Sequence, residues 1–214
     1  MVKGDVLKSF LSFESLNRNY MSERIKGLIQ DSISVKQSLL QDEVMLKTID
    51  SVVQVISDAF AAGNKVLFCG NGGSAADAQH LAAEFSGRFY KNRKALPAEA
   101  LHCNTSYLTA VANDYSYDVI YARLVDGIGV KGDVLLGFST SGNSTNIIKA
   151  FEVAREMGIV TIGLTGSTGG AMKPLSDYLF NVPSTTTPRI QESHILLGHI
   201  ICELVEEKVF DPNP

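Results

Sequence analysis

Hydrophobic residues in the first sixty positions recur with the spacing of α-helices. Apolar side chains lie three and four residues apart over residues 45–60, with acidic and amide residues between them, a pattern typical of a helix with one buried face. The same spacing predicts a helix over residues 25–40 and a short one over 6–11. We therefore expect an N-terminal helical arm, residues 1–42, whose apolar stripes pack on the core or on another subunit.

From residue 65 onward, short apolar runs alternate with helical stretches. Runs of strand length, bounded by Gly, Pro, Asn or Asp, cover residues 66–69, 97–101, 134–138, 159–164 and 178–182. Helices are expected between them, over 74–89, 106–127 with a break near Asn113, 144–157 and 170–175, and a last one over 188–210. This alternation predicts one α/β domain, residues 43–210, in which helices cover both faces of a doubly wound, five-stranded parallel sheet.

Composition narrows the possible functions. The formal charge of −4, from 19 basic and 23 acidic residues, argues against nucleic acid as a partner, because such binding needs a basic face. The longest apolar run, residues 195–205, is about half of what a bilayer crossing requires, so no membrane contact is expected. Three widely spaced cysteines and a polar N-terminus without an export signal favour a reducing, cytoplasmic location.

Two loops follow strands at positions where doubly wound folds bind ligands. The first, residues 70–74, reads Gly-Asn-Gly-Gly-Ser, and the second, residues 139–144, reads Ser-Thr-Ser-Gly-Asn-Ser; each leads into a helix. Glycines allow close backbone approach, and hydroxyls with free helix N–H groups suit a phosphate monoester. The alternative for the second loop is a simple helix cap. A dinucleotide site is the alternative for the first, because Gly70, Gly72 and Ala75 fit G-x-G-x-x-A, with Glu99 as the acidic residue.

Histidine and carboxylate side chains form a second candidate group. His80 and Glu84 are four residues apart and share a helix face, so they could bind a metal ion, form a base with its orienting partner, or make a surface ion pair. His199 lies in the apolar run and needs a partner, which a structural hydrogen bond would also supply. Two histidines and a carboxylate suit Zn²⁺. We take His102 as structural.

Five segments together resemble the phosphoheptose isomerases of the sugar isomerase domain superfamily. They read CGNGGSAADAQHLAAEFSGRF, AVANDY, DVLLGFSTSGNSTNIIKA, GLTGSTGG and RIQESHILLGHIICELVE. The resemblance covers residues 45–209 and leaves the arm before residue 25 outside. One departure is Pro188-Arg189, where many members carry Asp-Arg; a proline suits the first turn of a helix.

The resemblance implies a homotetramer with active sites at subunit interfaces and one Zn²⁺ per subunit. The implied reaction converts sedoheptulose 7-phosphate to D-glycero-D-manno-heptose 7-phosphate. The implied zinc ligands are His80, Glu84, Gln191 and His199, with Glu84 and His199 also transferring protons. The implied substrate contacts are Asn71, Gly72, Gly73, Glu84, Asn113, Asp114, Ser139, Thr140, Ser141, Ser144 and Gln191. Gln191 and His199 lie about 12 Å apart along a helix axis, so both must lean toward one ion or one comes from another chain.

Ketose–aldose conversion moves a proton between C1 and C2 through an enediol, which needs a base and an electrophile at the oxygen. Glu84 is expected to be that base. The alternative is a non-catalytic binding protein of the replication-initiator-associating type, which shares the fold. Those relatives lack the acid at position 84 and the histidine at position 199, so the residues present here favour the enzyme.

Overall fold

The N-terminal arm is one long helix. A computed structural model describes the backbone of residues 3–211 and the side chains of residues 20–211. Helix α1, Lys3–Leu40, replaces the two helices that the pattern predicted over 6–11 and 25–40. The two-helix prediction was wrong because residues 12–24 contain no proline or glycine to interrupt the helix. The apolar side chains of residues 6–11 lie outside the described part of the chain.

The second helix begins at a capped turn. Helix α2, Glu43–Ala61, follows Asp42, whose carboxylate accepts hydrogen bonds from the backbone N–H groups of Val44 and Met45 at 3.1 and 3.0 Å. Such a cap stabilises a helix N-terminus by about 1 kcal/mol. The division of the chain at residue 42 into arm and domain stays a prediction.

The predicted five-stranded parallel sheet is confirmed. Its strands are β1 Val66–Gly70, β2 Ala98–Ala100, β3 Val134–Ser139, β4 Val160–Thr165 and β5 Tyr178–Asn181, in the order β2-β1-β3-β4-β5. The remaining helices are α3 Gly73–Ser86, α4 Thr105–Asp114, α5 Ile120–Ile128, α6 Thr145–Glu156 and α7 Thr187–Phe210. Short 3₁₀ helices cover Tyr117–Val119 and Gly170–Leu175. The helix break expected near Asn113 is confirmed, because α4 ends at Asp114 and the first 3₁₀ helix begins at Tyr117.

Helices cover both faces of this sheet. One hydrophobic core joins the sheet to α2, α3 and α7, and includes Phe68, Phe85 and Phe180. The other joins it to α4, α5 and α6, and includes Tyr121 and Phe151. β1 and β3 are buried along their whole length, which explains why they read as continuous apolar runs. No helix within residues 3–211 is long and apolar enough to cross a membrane.

The strand order places the two candidate loops side by side. β1 and β3 are adjacent although they are not consecutive, and Gly70 pairs with Phe138 at their carboxyl ends. The chain leaves β1 for a helix on one face and leaves β3 for a helix on the other face. Ligands bind at such switch points of open α/β sheets.

The arm contacts the domain through its C-terminal half. The Ser32 hydroxyl donates to the Glu192 carboxylate at 2.7 Å, and Arg189 donates to the Leu28 carbonyl at 2.6 Å. Pro188 lies in the first turn of α7, as predicted. Large apolar side chains of α1 still face solvent, among them Met21, Ile25 and Ile29, each more than half exposed.

Candidate active site

The two loops are joined by a pair of asparagines. The Asn71 amide donates to Asn146 Oδ1, and the Asn146 amide donates to Asn71 Oδ1, both at 2.9 Å. The Tyr117 hydroxyl also donates to Asn71 Oδ1, at 3.1 Å. Asn146 is buried in the first turn of α6. The loop after β1 is therefore fixed to the helix that follows the second loop.

These hydrogen bonds occupy most of the donors and acceptors of the Asn71 side chain. Its side-chain oxygen accepts two hydrogen bonds and its side-chain amide donates one, and its backbone carbonyl accepts from the Ser74 N–H at 3.1 Å, so one side-chain N–H remains for a ligand. Sequence reasoning did not select Asn146 or Tyr117. Asn146 stands two residues after Ser144 and could have been found from that position, whereas nothing in the local sequence points to Tyr117.

The second loop collects several hydroxyl groups. Ser139 Oγ lies 2.8 Å from Ser144 Oγ and 3.5 Å from Ser141 Oγ. Gly142 turns the loop with φ of +68°, and a Cβ there would lie 2.1 Å from the Gly169 carbonyl oxygen. Among the described contacts, the Ser144 side chain makes no capping bond to α6, so a simple cap does not account for this residue. The hydroxyls lie at the N-terminus of α6, where N–H groups favour an anion.

Three candidate metal ligands come together from two helices. His80 and Glu84 lie on α3, and His199 lies on α7. His80 Nε2 is 2.9 Å from His199 Nε2 and 3.3 Å from Glu84 Oε1, and the ligand atoms of all three lie within 4.8 Å of one another. His199 is partly buried, and its described partner is His80 and not a backbone carbonyl or a carboxylate, so this contact favours a site residue over a buried structural histidine. Since His199 joins them, His80 and Glu84 form more than a surface ion pair.

The donor set fits Zn²⁺. Two nitrogen or oxygen donors on a tetrahedral zinc ion stand about 3.3 Å apart, close to the separations around His80. Burial, and next the neighbouring His80, lower the pKa of His199, while Glu84 raises it. A neutral imidazole is the form that binds metal. His80, Glu84 and His199 could thus hold one ion.

Gln191 lies near one end of α3. Its amide sits against Gly73, where an added Cβ would be 2.7 Å from Gln191 Nε2. Gly73 precedes His80 by seven residues, or about 10 Å along a helix. The role of Gln191 as a fourth metal ligand stays a prediction, and its described position is beside the first loop.

The remaining predicted residues lie around these loops. Gly72, N-cap of α3, has φ of +57°, which favours glycine. Thr140 is partly buried in the second loop, and Asn113 donates to Asp114 at 2.9 Å on the exposed end of α4. Tyr117 lies three residues after Asp114, and its hydroxyl group donates the hydrogen bond to Asn71 that connects this segment to the first loop.

Asp77, which the sequence reasoning did not select, lies beside the His80–Glu84–His199 cluster. It lies one turn before His80, and among the described residues its Oδ2 atom is buried without a hydrogen-bond partner. Burial raises its pKa, and His80 opposes the shift. Glu99, the acidic residue of the dinucleotide alternative, lies in the middle of β2, paired with Leu67, and not at the end of the strand, so its position does not support that alternative.

The chain resembles known sugar-phosphate enzymes over most of its length. Residues 32–166 match the family model described as SIS domain. The chain is 54% identical over 190 residues to the phosphoheptose isomerase of Aneurinibacillus thermoaerophilus, which covers 89% of this chain and 96% of the relative. The chain belongs to the phosphoheptose isomerases of the SIS domain family. Phosphoheptose isomerase 2 of Campylobacter jejuni is 53% identical, over 89% of this chain and 94% of that protein.

Solved structures of this family have the same fold. The phosphoheptose isomerase of Neisseria gonorrhoeae superposes with a TM-score of 0.82 at 40% identity, covering 87% of this chain and 99% of that one. The enzyme of Francisella tularensis gives 0.83 at 34% identity, over 87% and 98% of the two chains. The family assignment therefore agrees with the strand order and with the loops at the switch point.

Proposed function

We propose that this chain isomerises sedoheptulose 7-phosphate to D-glycero-D-manno-heptose 7-phosphate, the first step of ADP- or GDP-heptose biosynthesis in bacteria. The observation that carries the proposal is the His80–Glu84–His199 cluster, together with hydroxyl and glycine loops at the carboxyl edge of one sheet. The relatives named above, which are called phosphoheptose isomerases, support the substrate class.

The chain's own residues divide the work in this proposal. The hydroxyls of Ser139, Thr140, Ser141 and Ser144, with the N–H groups at the start of α6, bind the phosphate. Backbone groups of residues 71–73, with Asn113 and Asp114, hold the sugar. Glu84 removes a proton from C1 and delivers it to C2. His199 transfers a second proton from the oxygen on C1 to the oxygen on C2, so no proton is gained or lost overall.

A zinc ion belongs to this proposal. His80, Glu84 and His199 would hold one Zn²⁺ per subunit, with Gln191 as the expected fourth ligand. When bound, the ion supplies a positive charge that stabilises the enediolate oxygens. A carboxylate that binds the ion is a weaker base, so Glu84 is expected to be a loose ligand.

We also propose a homotetramer in the cytoplasm, with active sites at subunit interfaces. The exposed apolar side chains on α1 support an interface, since Tyr20, Met21, Ile25 and Ile29 are each more than half exposed. A patch of this kind on a protein surface marks an interaction site. The non-catalytic alternative is not favoured, because the acid at position 84 and the histidine at position 199 are present.

Replacing one carboxylate tests the proposed base. Glu84→Gln keeps the shape of the side chain but removes the base, so turnover of sedoheptulose 7-phosphate should fall by about 100-fold or more, while substrate still binds. Glu207→Gln, at an exposed position on α7, is the matched control and should retain full activity. An E84Q variant with near wild-type turnover would contradict the role of Glu84.

A further inference from the structure

A buried ion pair connects the ends of the two helices that carry the His80–Glu84–His199 cluster. Arg93 Nε donates to Glu206 Oε1 at 2.6 Å, and each side chain is only 2% exposed. Arg93 lies in the segment that follows α3, whereas Glu206 lies on α7. The proposed function gives neither residue a role.

The Glu206 side chain binds the backbone of the segment that follows α3. Its carboxylate accepts hydrogen bonds from the N–H groups of Phe89, Tyr90 and Lys91, at 3.1, 2.7 and 2.9 Å. With Arg93, four donors surround one buried carboxylate. Burial raises the pKa of Glu206, but these hydrogen bonds outweigh it and the net shift is downward, so Glu206 is charged at neutral pH.

Arg93 caps the C-terminus of α3 at the proposed base itself. Its guanidinium donates to the backbone carbonyl of Glu84 at 2.8 Å and to that of Phe85 at 2.9 Å. Carbonyls in the last turn of a helix lack partners within the helix. Arg93 therefore fixes the backbone that carries the Glu84 side chain.

Glu206 is itself a residue of the second helix, α7, and its carboxylate ties that helix to the segment after α3. It follows His199 by seven residues, which places both on one face of α7. A continuous path of contacts therefore runs from the Glu84 carbonyl through Arg93 and Glu206 to the helix that carries His199. We propose that Arg93 and Glu206 are positioning residues that hold Glu84 and His199 at metal-binding distance. This inference rests on the proposed function, because it concerns the same cluster.

A second ion pair with a buried carboxylate, between Lys65 and Asp133, serves as the control. Asp133 is fully buried and accepts bonds from Lys65 Nζ at 2.6 Å and from the backbone N–H groups of Lys65 and Val130 at 3.0 and 2.8 Å. Lys65 and Asp133 immediately precede β1 and β3, and their described hydrogen bonds involve no residue of α3 or α7. Loss of this pair should disturb folding without reaching the cluster.

The test compares Zn²⁺ affinity in the full-length protein. Metal-free wild type, Glu206→Gln, Arg93→Lys and Asp133→Asn would be titrated with Zn²⁺ against a chelating indicator, with thermal unfolding followed in parallel. His199→Ala identifies the measured site, since its binding should be lost. Removing a group that orients metal ligands costs about 10- to 100-fold in affinity, and we expect that loss for Glu206→Gln. Asp133→Asn should bind Zn²⁺ like wild type, although Asp133→Asn and Glu206→Gln should both unfold at a lower temperature than wild type.

Arg93→Lys keeps the inference testable if Glu206→Gln does not fold. Lysine preserves the charge, but its donors share one nitrogen, whereas Arg93 reaches Glu206 and the two carbonyls from three separate nitrogens, so the Zn²⁺ affinity of Arg93→Lys should also fall. Wild-type affinity in the folded Arg93 or Glu206 variants, or an equal loss in Asp133→Asn, would overturn the inference alone. A wild-type protein that binds no Zn²⁺ would overturn the proposed metal site together with it.

Discussion

Gly198 of α7 packs tightly against Leu81 of α3, and its replacement by alanine should push the two helices apart. A Cβ at Gly198 would stand 2.3 Å from Leu81 Cδ1 and 2.9 Å from Leu81 Cδ2. Leu81 is 1% exposed, so its side chain has little room to move away. His80 precedes Leu81 and His199 follows Gly198, so the same contact sets the separation of the two histidines.

The expected cost follows from two opposing effects. Inserting a methyl group into a packed core costs about 1–3 kcal/mol, whereas Ala in place of Gly inside a helix gains about 1 kcal/mol. The net loss of unfolding free energy is therefore about 0–2 kcal/mol. A single variant could thus show little change, and a double-mutant cycle separates the overlap from the helix propensity.

Leu81→Ala is the second variant of the cycle. Alone it should cost about 2–5 kcal/mol, because it leaves a cavity. In the Gly198→Ala background it also removes the overlap, so its cost should be smaller by about 1–3 kcal/mol. Urea unfolding of the four proteins, followed by circular dichroism at one fixed protein and metal concentration, measures this coupling. Additive costs, within about 0.5 kcal/mol, would refute the close packing of α3 on α7.

Gly73→Ala should displace the Gln191 amide, which would lie 2.7 Å from the new Cβ. Steady-state kinetics should then show a higher KM, whereas Gly127→Ala, with open space around its Cβ, should match wild type. Burial lowers the pKa of His194 from 6.5 to about 4, so the unfolded chain binds the proton first as pH falls. Unfolding free energy should therefore drop by about 3 kcal/mol between pH 6.5 and 4, and urea unfolding of His194→Gln should lack that part of the slope.

Most strands and helices of the fold could be predicted from local sequence patterns. Four of the five strands are short, mainly apolar runs, and β2 is the exception because Glu99 lies in its middle. Glycine, proline, asparagine or aspartate near the strand ends marks where these runs stop. The candidate loops could be found because they follow strands, and the i, i+4 spacing placed His80 and Glu84 on one face. The long α1 was missed because a gap in the apolar pattern does not end a helix when no residue there breaks it.

Contacts between residues far apart in the chain could not be predicted from the sequence. The pair of Asn71 and Asn146 joins residues 75 positions apart, and the pair of Arg93 and Glu206 joins residues 113 apart. Neither pair has a local pattern, because each depends on how the helices are arranged around the sheet. The position of Gln191 against Gly73 likewise follows from the packing of α7 on α3.

The central claim is that this chain is a metal-dependent isomerase of a seven-carbon ketose phosphate. The most direct measurement incubates the purified protein with sedoheptulose 7-phosphate, with and without a chelator, and follows the heptose 7-phosphate product by NMR. Product should form with the native protein, be lost after chelation and return when Zn²⁺ is added. No heptose product under any metal condition would contradict a metal-dependent isomerase.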